Sequence, residues 1–132
     1  MTHAIIWFDV PAEDLDRAAE FYSTVFDTEL QEASDTDEPY LMFAVEEGEV
    51  GGGLFEAGEM TFGGGDTVSF DPGETGPTVY LTVTDAMSDA LDRVRSAGGE
   101  ILVGAEDIEG ESMVYAIVRD TEGNRIGLMG DH

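Results

Sequence analysis

From Ala4 to Val10 the chain reads AIIWFDV, an apolar run of strand length, and Pro11 is expected to end its ladder by removing a donor. A helix follows. Asp14 suits the N-cap, and Leu15, Ala18, Ala19, Tyr22 and Val25 recur at the offsets that place one apolar stripe on a core. Three short strands are predicted after it, at Thr28–Ala33, Tyr40–Glu46 and Val50–Glu56, separated by the turn-rich stretches SDTDEP and EGE. The run Ala57–Gly76 shows no sustained period and reads as a connector holding one short strand at Thr67–Phe70. The pattern then restarts. Pro77–Val83 is a strand, Asp85 a helix cap, and Met87, Ala90, Leu91 and Val94 repeat the helical stripe before Gly98 and Gly99 stop it. Strands at Glu100–Val103, Ser112–Arg119 and Arg125–Gly130 complete the second unit, with Glu122–Asn124 as a tight turn. The interval from Val10 to Val83 matches that from Leu15 to Met87 to within one residue, so one βαβββ unit is written twice.

Length agrees with one domain: 132 residues, 42% of them hydrophobic, can build a core. No stretch approaches the roughly 20 apolar residues of a membrane span, and the start lacks a signal-peptide pattern, so a cytoplasmic protein is expected. With no cysteine, thiolate metal sites, disulfides and cysteine nucleophiles are excluded. Charge changes the picture most. Five Arg and no Lys stand against thirty Asp and Glu, a net charge of −25, which repels nucleic acid and anionic membranes. The carboxylates are scattered through both halves, as in proteins adapted to salt-loaded cytoplasm, where screening over a few ångströms tames self-repulsion. An acidic module for a basic partner is the competing reading of the charge.

Three stretches carry a family resemblance: DLDRAAEFYSTVF (Asp14–Phe26), VTDAMSDALDRVRSAGGEIL (Val83–Leu102) and RDTEGNRIGLM (Arg119–Met129). Together they resemble the vicinal oxygen chelate superfamily, which includes glyoxalase I, bleomycin-resistance proteins and extradiol dioxygenases, and within it the branch described as related to lactoylglutathione lyase. The resemblance implies an α+β fold of two tandem βαβββ modules forming a curled mixed sheet around a cavity, often completed by a homodimer. Module one would cover residues 4–57, the connector 58–76 and module two 77–130. Metal-binding members carry a ligand on the first strand and a Glu on the last strand of each module. Matched to this chain, those positions are Ile5 and Thr78 on the first strands, Gly127 on the last, and one of Gly51–Gly53 on the last strand of module one. A divalent ion needs lone pairs from imidazole or carboxylate, and these residues offer only the weak hydroxyl of Thr78. No metal and no other cofactor are expected.

Strand alternation groups Ile5, Trp7 and Asp9 on one face of module one, and Thr78, Tyr80 and Thr82 on the related face of module two. Trp7, Asp9, Thr78, Tyr80, Thr82 and Gly127 form the expected ligand-binding set, with Tyr40 and Tyr115 as further lining residues. Trp7 and Tyr80 could sandwich a planar ligand or simply plug the space, and Gly127 leaves room for a ligand or for the Trp7 ring. Asp9 is the one candidate general base; its alternative role is to accept hydrogen bonds at the strand end. His3 and His132 lie at the chain ends, where fraying argues against a site. The triple glycines at Gly51–Gly53 and Gly63–Gly65 lack the Lys and helix of a phosphate loop. The leading expectation is a homodimeric protein binding a small molecule in a metal-free cavity. The alternative is a lyase, isomerase or dioxygenase using Asp9 and a tyrosine, or relocated metal ligands.

Overall fold

A computed structural model describes residues 3–34 and 38–131; His132 and the middle of the SDTDEP turn lie outside the described residues. Module one runs β1 (Trp7–Ala12), α1 (Leu15–Phe26), β2 (Leu30–Glu32), β3 (Tyr40–Phe43) and β4 (Gly51–Glu56). A hairpin follows, β5 (Gly58–Thr61) with β6 (Thr67–Phe70). Module two runs β7 (Tyr80–Thr82), α2 (Met87–Ser96), β8 (Glu100–Asp107), β9 (Val114–Arg119) and β10 (Arg125–Gly130). Each module forms its own four-stranded sheet, ordered β1-β4-β3-β2 and β7-β10-β9-β8, with the first and last strands parallel in both. The duplication therefore extends to topology and register. The expected α+β fold of two tandem βαβββ modules is what forms; their mixed sheets do not close on one another, because β1 and β7 are edge strands with no ladder between them.

Local chemistry explains the elements. Asp14 is extended (φ −132°, ψ 104°) and accepts the Arg17 N–H at 3.1 Å, the N-cap bond expected of it. The helix it opens buries Ala18, Phe21, Tyr22 and Val25, so Phe21 joins the predicted stripe and Leu15 and Ala19 flank it. In module two the stripe is as expected, with Met87, Ala90, Leu91 and Val94 buried, and Gly98 at φ +96° stops the helix. Each fully buried aliphatic or aromatic side chain contributes about 1.5–3 kcal/mol through water release.

Three expectations are corrected. Pro11 lies inside β1, opposite Phe55, and does not end it; an edge strand tolerates a missing donor on its open side. The cap of α2 is Ala86 with no side-chain bond, because the Asp85 carboxylate is instead held by both terminal nitrogens of Arg93 at 2.8 and 2.9 Å. The connector contains two strands: β6 is the one expected at Thr67–Phe70, and β5 pairs with it.

The turn Asp120–Asn124 of module two reaches across to module one. Tyr22 donates its hydroxyl to Asp120 Oδ2 at 2.5 Å, and Asn124 donates from Nδ2 to the Pro11 carbonyl at 2.8 Å. Glu122 accepts from the Asp14 N–H at 2.8 Å and from Arg17 at 2.8 and 3.0 Å. Asp120, Glu122 and Asn124 are all buried, and Asp120 additionally accepts from the backbone N–H groups of Glu122 and Asn124, both at 2.8 Å. Burial alone would raise the Glu122 carboxyl, but Arg17, the Asp14 N–H and the Thr121 hydroxyl outweigh it and hold it below its ordinary value. With α1 packed on α2 and one core drawing residues from both modules, this turn joins the halves.

Candidate functional site

The helices cover one face of each sheet and leave the other open. Phe8 and Val10 point toward the shared core, so Trp7 and Asp9, one residue out of phase, face the opposite way; Trp7 is 44% exposed. On that open face Trp7, Asp9 and Tyr40 meet. The Tyr40 hydroxyl donates to Asp9 Oδ1 at 2.5 Å, while the Trp7 indole N–H lies 3.1 Å from the same oxygen and 2.7 Å from the Tyr40 hydroxyl oxygen. The two rings stack with centroids 6.4 Å apart at 25°. Partial burial and the Asp9 acceptor raise the Tyr40 phenol well above its ordinary range, with the Trp7 N–H pulling weakly the other way. Tyr40 is therefore a proton donor to Asp9 throughout the neutral range.

Glycines make this cluster possible. Gly51 pairs with Trp7 across the parallel ladder, and a Cβ there would stand 3.1 Å from the indole. A Cβ on Gly53 would stand 2.4 Å from the Tyr40 ring, and on the helix side a Cβ on Gly52 would come equally close to Phe8. The run of three glycines lets aromatic rings lie flat on both faces of β4. Module two repeats the device once: Gly127 pairs with Tyr80, and a Cβ there would stand 2.2 Å from the ring. The room beneath Gly127 is thus taken by Tyr80, and not by Trp7. Tyr80 in turn meets Tyr115 edge to face, centroids 6.3 Å apart.

The shared register also answers which glycine of β4 corresponds to Gly127. Trp7–Gly51 and Tyr80–Gly127 are equivalent pairs, so Gly51 is the counterpart. A divalent metal does not fit here. Ile5, Gly51 and Gly127 carry no donor atom, and aromatic rings occupy the space a carboxylate at either glycine would need. Among the described residues no three His, Asp or Glu side chains gather elsewhere into a set able to hold an ion. His3 is exposed at the start of the described chain.

Two clefts divide the predicted residues. One, of about 490 Å³, lies between module one and the β5–β6 hairpin and is lined by Asp9, Tyr40, Phe55 and the hairpin residues Met60, Phe62 and Phe70. The other, of about 550 Å³, lies between the modules and brings Ile5 and Gly51 together with Tyr80 and Thr82. Trp7 and Thr78 line neither, and Gly127 is buried under its tyrosine. Both clefts have the size of small-molecule sites. The hairpin residues escaped the sequence reading, although Met60/Phe62 and Val68/Phe70 alternate around the Gly63–Gly65 turn, the usual mark of a hairpin.

The fold and duplicated register agree with a family-model match, to the glyoxalase/bleomycin resistance protein/dioxygenase superfamily, over residues 4–128. The chain belongs to that superfamily. The match is to the superfamily as a whole and singles out no lactoylglutathione-lyase-related branch. Among curated proteins no sequence matches. Solved structures similar to this superfamily member include a hypothetical protein, SA1046, from S. aureus, at TM-score 0.69 and 15% identity, covering 97% of this chain and 94% of that one. Another is TnmS3, an antibiotic-binding protein from Streptomyces sp. CB03234, at TM-score 0.66 and 19% identity, covering 100% and 99%. A third is the genomically encoded fosfomycin resistance protein FosX from Listeria monocytogenes, at TM-score 0.66 and 12% identity, covering 97% and 90%. At these identities the likeness is one of fold. No helix among the described residues is long and apolar enough to cross a membrane.

Proposed function

We propose that this superfamily member binds a small molecule, without a metal ion, in the cleft bounded by Asp9, Tyr40 and the β5–β6 hairpin. The observation that carries this reading is the Trp7–Tyr40–Asp9 cluster. Two aromatic rings and a carboxylate are fixed by mutual hydrogen bonds on a glycine-floored strand, open to solvent and beside a cavity of ligand size. Rings held in place in advance lose little freedom when a ligand stacks on them, which favours binding. TnmS3, an antibiotic-binding protein of the same fold, is consistent with sequestration as a sufficient function.

Trp7 is the sole tryptophan, so its emission reports on the cluster. Titration with a diverse compound library should yield at least one ligand that shifts Trp7 emission saturably and loses affinity in Tyr40→Ala; a library with no saturable ligand would sink the reading. Elemental mass spectrometry after incubation with zinc, manganese, iron and nickel salts should find no stoichiometric metal, and tight stoichiometric metal would overturn the metal-free part.

The Tyr40–Asp9 contact also supports a second reading, an enzyme working through that pair. Asp9 Oδ1 already accepts from two donors, which suits holding a ligand better than abstracting its proton. Any turnover abolished by Asp9→Asn with binding intact would reverse that order. The working form belongs to the same proposal: a salt-adapted homodimer, with a solution mass of about twice the 14.2 kDa chain and a melting temperature that falls when molar salt is removed. A monomer, or a melting temperature indifferent to salt, would remove those parts.

A further inference from the structure

Resting on the small-molecule reading above, we propose that the occupant of the hairpin cleft is an organic cation: an ammonium or amidinium group carried on an apolar, aromatic body. The lining itself argues for this. Among the described residues its charged members are Asp9, Glu38 and Glu56, and no Lys, Arg or His lines it. Among the described residues of the lining, Tyr40 carries the one side-chain O–H or N–H donor, and that hydroxyl is turned to Asp9. The neighbouring Trp7 N–H is likewise turned to Asp9 and Tyr40. An anionic ligand would therefore meet carboxylates with neither a cation nor a free side-chain donor to offset them, a juxtaposition that costs several kcal/mol in a partly dry site.

Nor is an arginine at hand to bring a counter-charge. Each arginine is engaged elsewhere: Arg17 with Glu122, Arg93 with Asp85, Arg95 with Asp92, Arg119 with Glu74 and Glu100, and Arg125 with the Gly76 carbonyl. A cation, by contrast, is matched twice. Asp9 offers it a carboxylate whose second oxygen, Oδ2, takes no part in the bonds to Trp7 and Tyr40. The Tyr40 ring in the lining, with Trp7 stacked against it, is electron-rich and attracts positive charge at its π face. The remaining wall is apolar, with Phe55 and Phe70 edge to face at 5.1 Å beside Met60 and Phe62, and it suits a ring or alkyl body.

A chain of net charge −25 attracts any cation, so a site must be separated from the general field. At molar salt the field is screened within a few ångströms, whereas a contact pair in a cleft survives. The test is calorimetry in molar potassium chloride with three probes of one shape and three charges: naphthylmethylamine, naphthalenemethanol and naphthoic acid. The amine should bind tightest and the acid weakest, with at least about a tenfold advantage of amine over alcohol, equivalent to about 1.4 kcal/mol. Asp9→Asn, whose amide oxygen still accepts from Tyr40, should abolish that advantage and leave the alcohol unchanged. Glu109→Gln, an equal loss of charge on the β8–β9 connection, should preserve it. Equal binding of amine and alcohol, an acid as tight as the amine, or an amine advantage that survives Asp9→Asn would overturn the cation preference while leaving a small-molecule site standing. Binding of none of the three by the folded protein would take the small-molecule reading down with it.

Discussion

Two tyrosine–aspartate pairs in this molecule have the same bond length and opposite fates. Tyr22 donates to Asp120 at 2.5 Å in the core, where both residues are buried and the bond crosses from module one to module two. Tyr40 donates to Asp9 at 2.5 Å on the open face, within module one and in reach of solvent. Burial raises both phenols, and in each the neighbouring aspartate adds to it. The lesson is about surroundings. Asp120 is also gripped by two backbone N–H groups and by Asn124, so its loss strands several buried donors. Among the described residues Asp9 has only its two side-chain donors, both of which water could satisfy. The first pair holds the fold, and the second is free to meet a ligand.

The sharpest way to break this comparison is to remove each carboxylate. Asp120→Ala should cost about 3 kcal/mol of stability, while Asp9→Ala should cost no more than about 0.5 kcal/mol, as measured by urea unfolding in molar salt. Comparable losses would mean that the open-face cluster is structural after all. A finer cut removes only the hydroxyls. Tyr22→Phe should destabilise by about 1–2 kcal/mol, whereas Tyr40→Phe should leave stability within about 0.5 kcal/mol and instead change Trp7 emission, because the indole loses its nearer partner.

The smallest expected effect is one of pH. The folded Glu122 carboxyl sits below its ordinary value of 4.5, so the stability it contributes is fully present above that pH and is lost as pH falls through the lowered value. Glu122→Gln should be less stable at neutral pH and should lose less on acidification below about 4.5, where the wild-type carboxylate takes up its proton. Parallel acid limbs for the two proteins would show that the Arg17–Glu122 link does not couple to folding.

Periodicity settled much before any coordinates. The helical stripes led by Ala18 and Met87, the Asp14 cap, the Gly98 stop and the restart at Pro77 are local events within one or two turns of chain, so the βαβββ duplication was legible. Pro11 and Asp85 were misread for a related reason. Whether a missing donor matters depends on which side of a strand is open, and whether an aspartate caps depends on whether Arg93 claims it first.

The site was half legible. Alternation placed Trp7 with Asp9 and Tyr80 with Thr82, and the duplication paired Trp7 with Tyr80. It could not say that Tyr40 closes on Asp9, that Gly127 is floor to Tyr80, or that the hairpin supplies Met60, Phe62 and Phe70 as a wall. Those are contacts between residues far apart in the chain. The same holds for Glu122, which read as a turn residue, and for Asp120; together they became the joint between modules.

By itself, then, the sequence determined the repeated unit, the extreme acidity and the want of donor atoms at Ile5, Gly127 and the run Gly51–Gly53, since composition and short-range pattern need no partner. Only the tertiary structure decided that two sheets stay separate, that Gly51 is the counterpart of Gly127, and that one Tyr–Asp pair is sealed while its twin stands open. Burial and register are properties of what packs against a residue, and a linear pattern carries no record of which distant segment that will be.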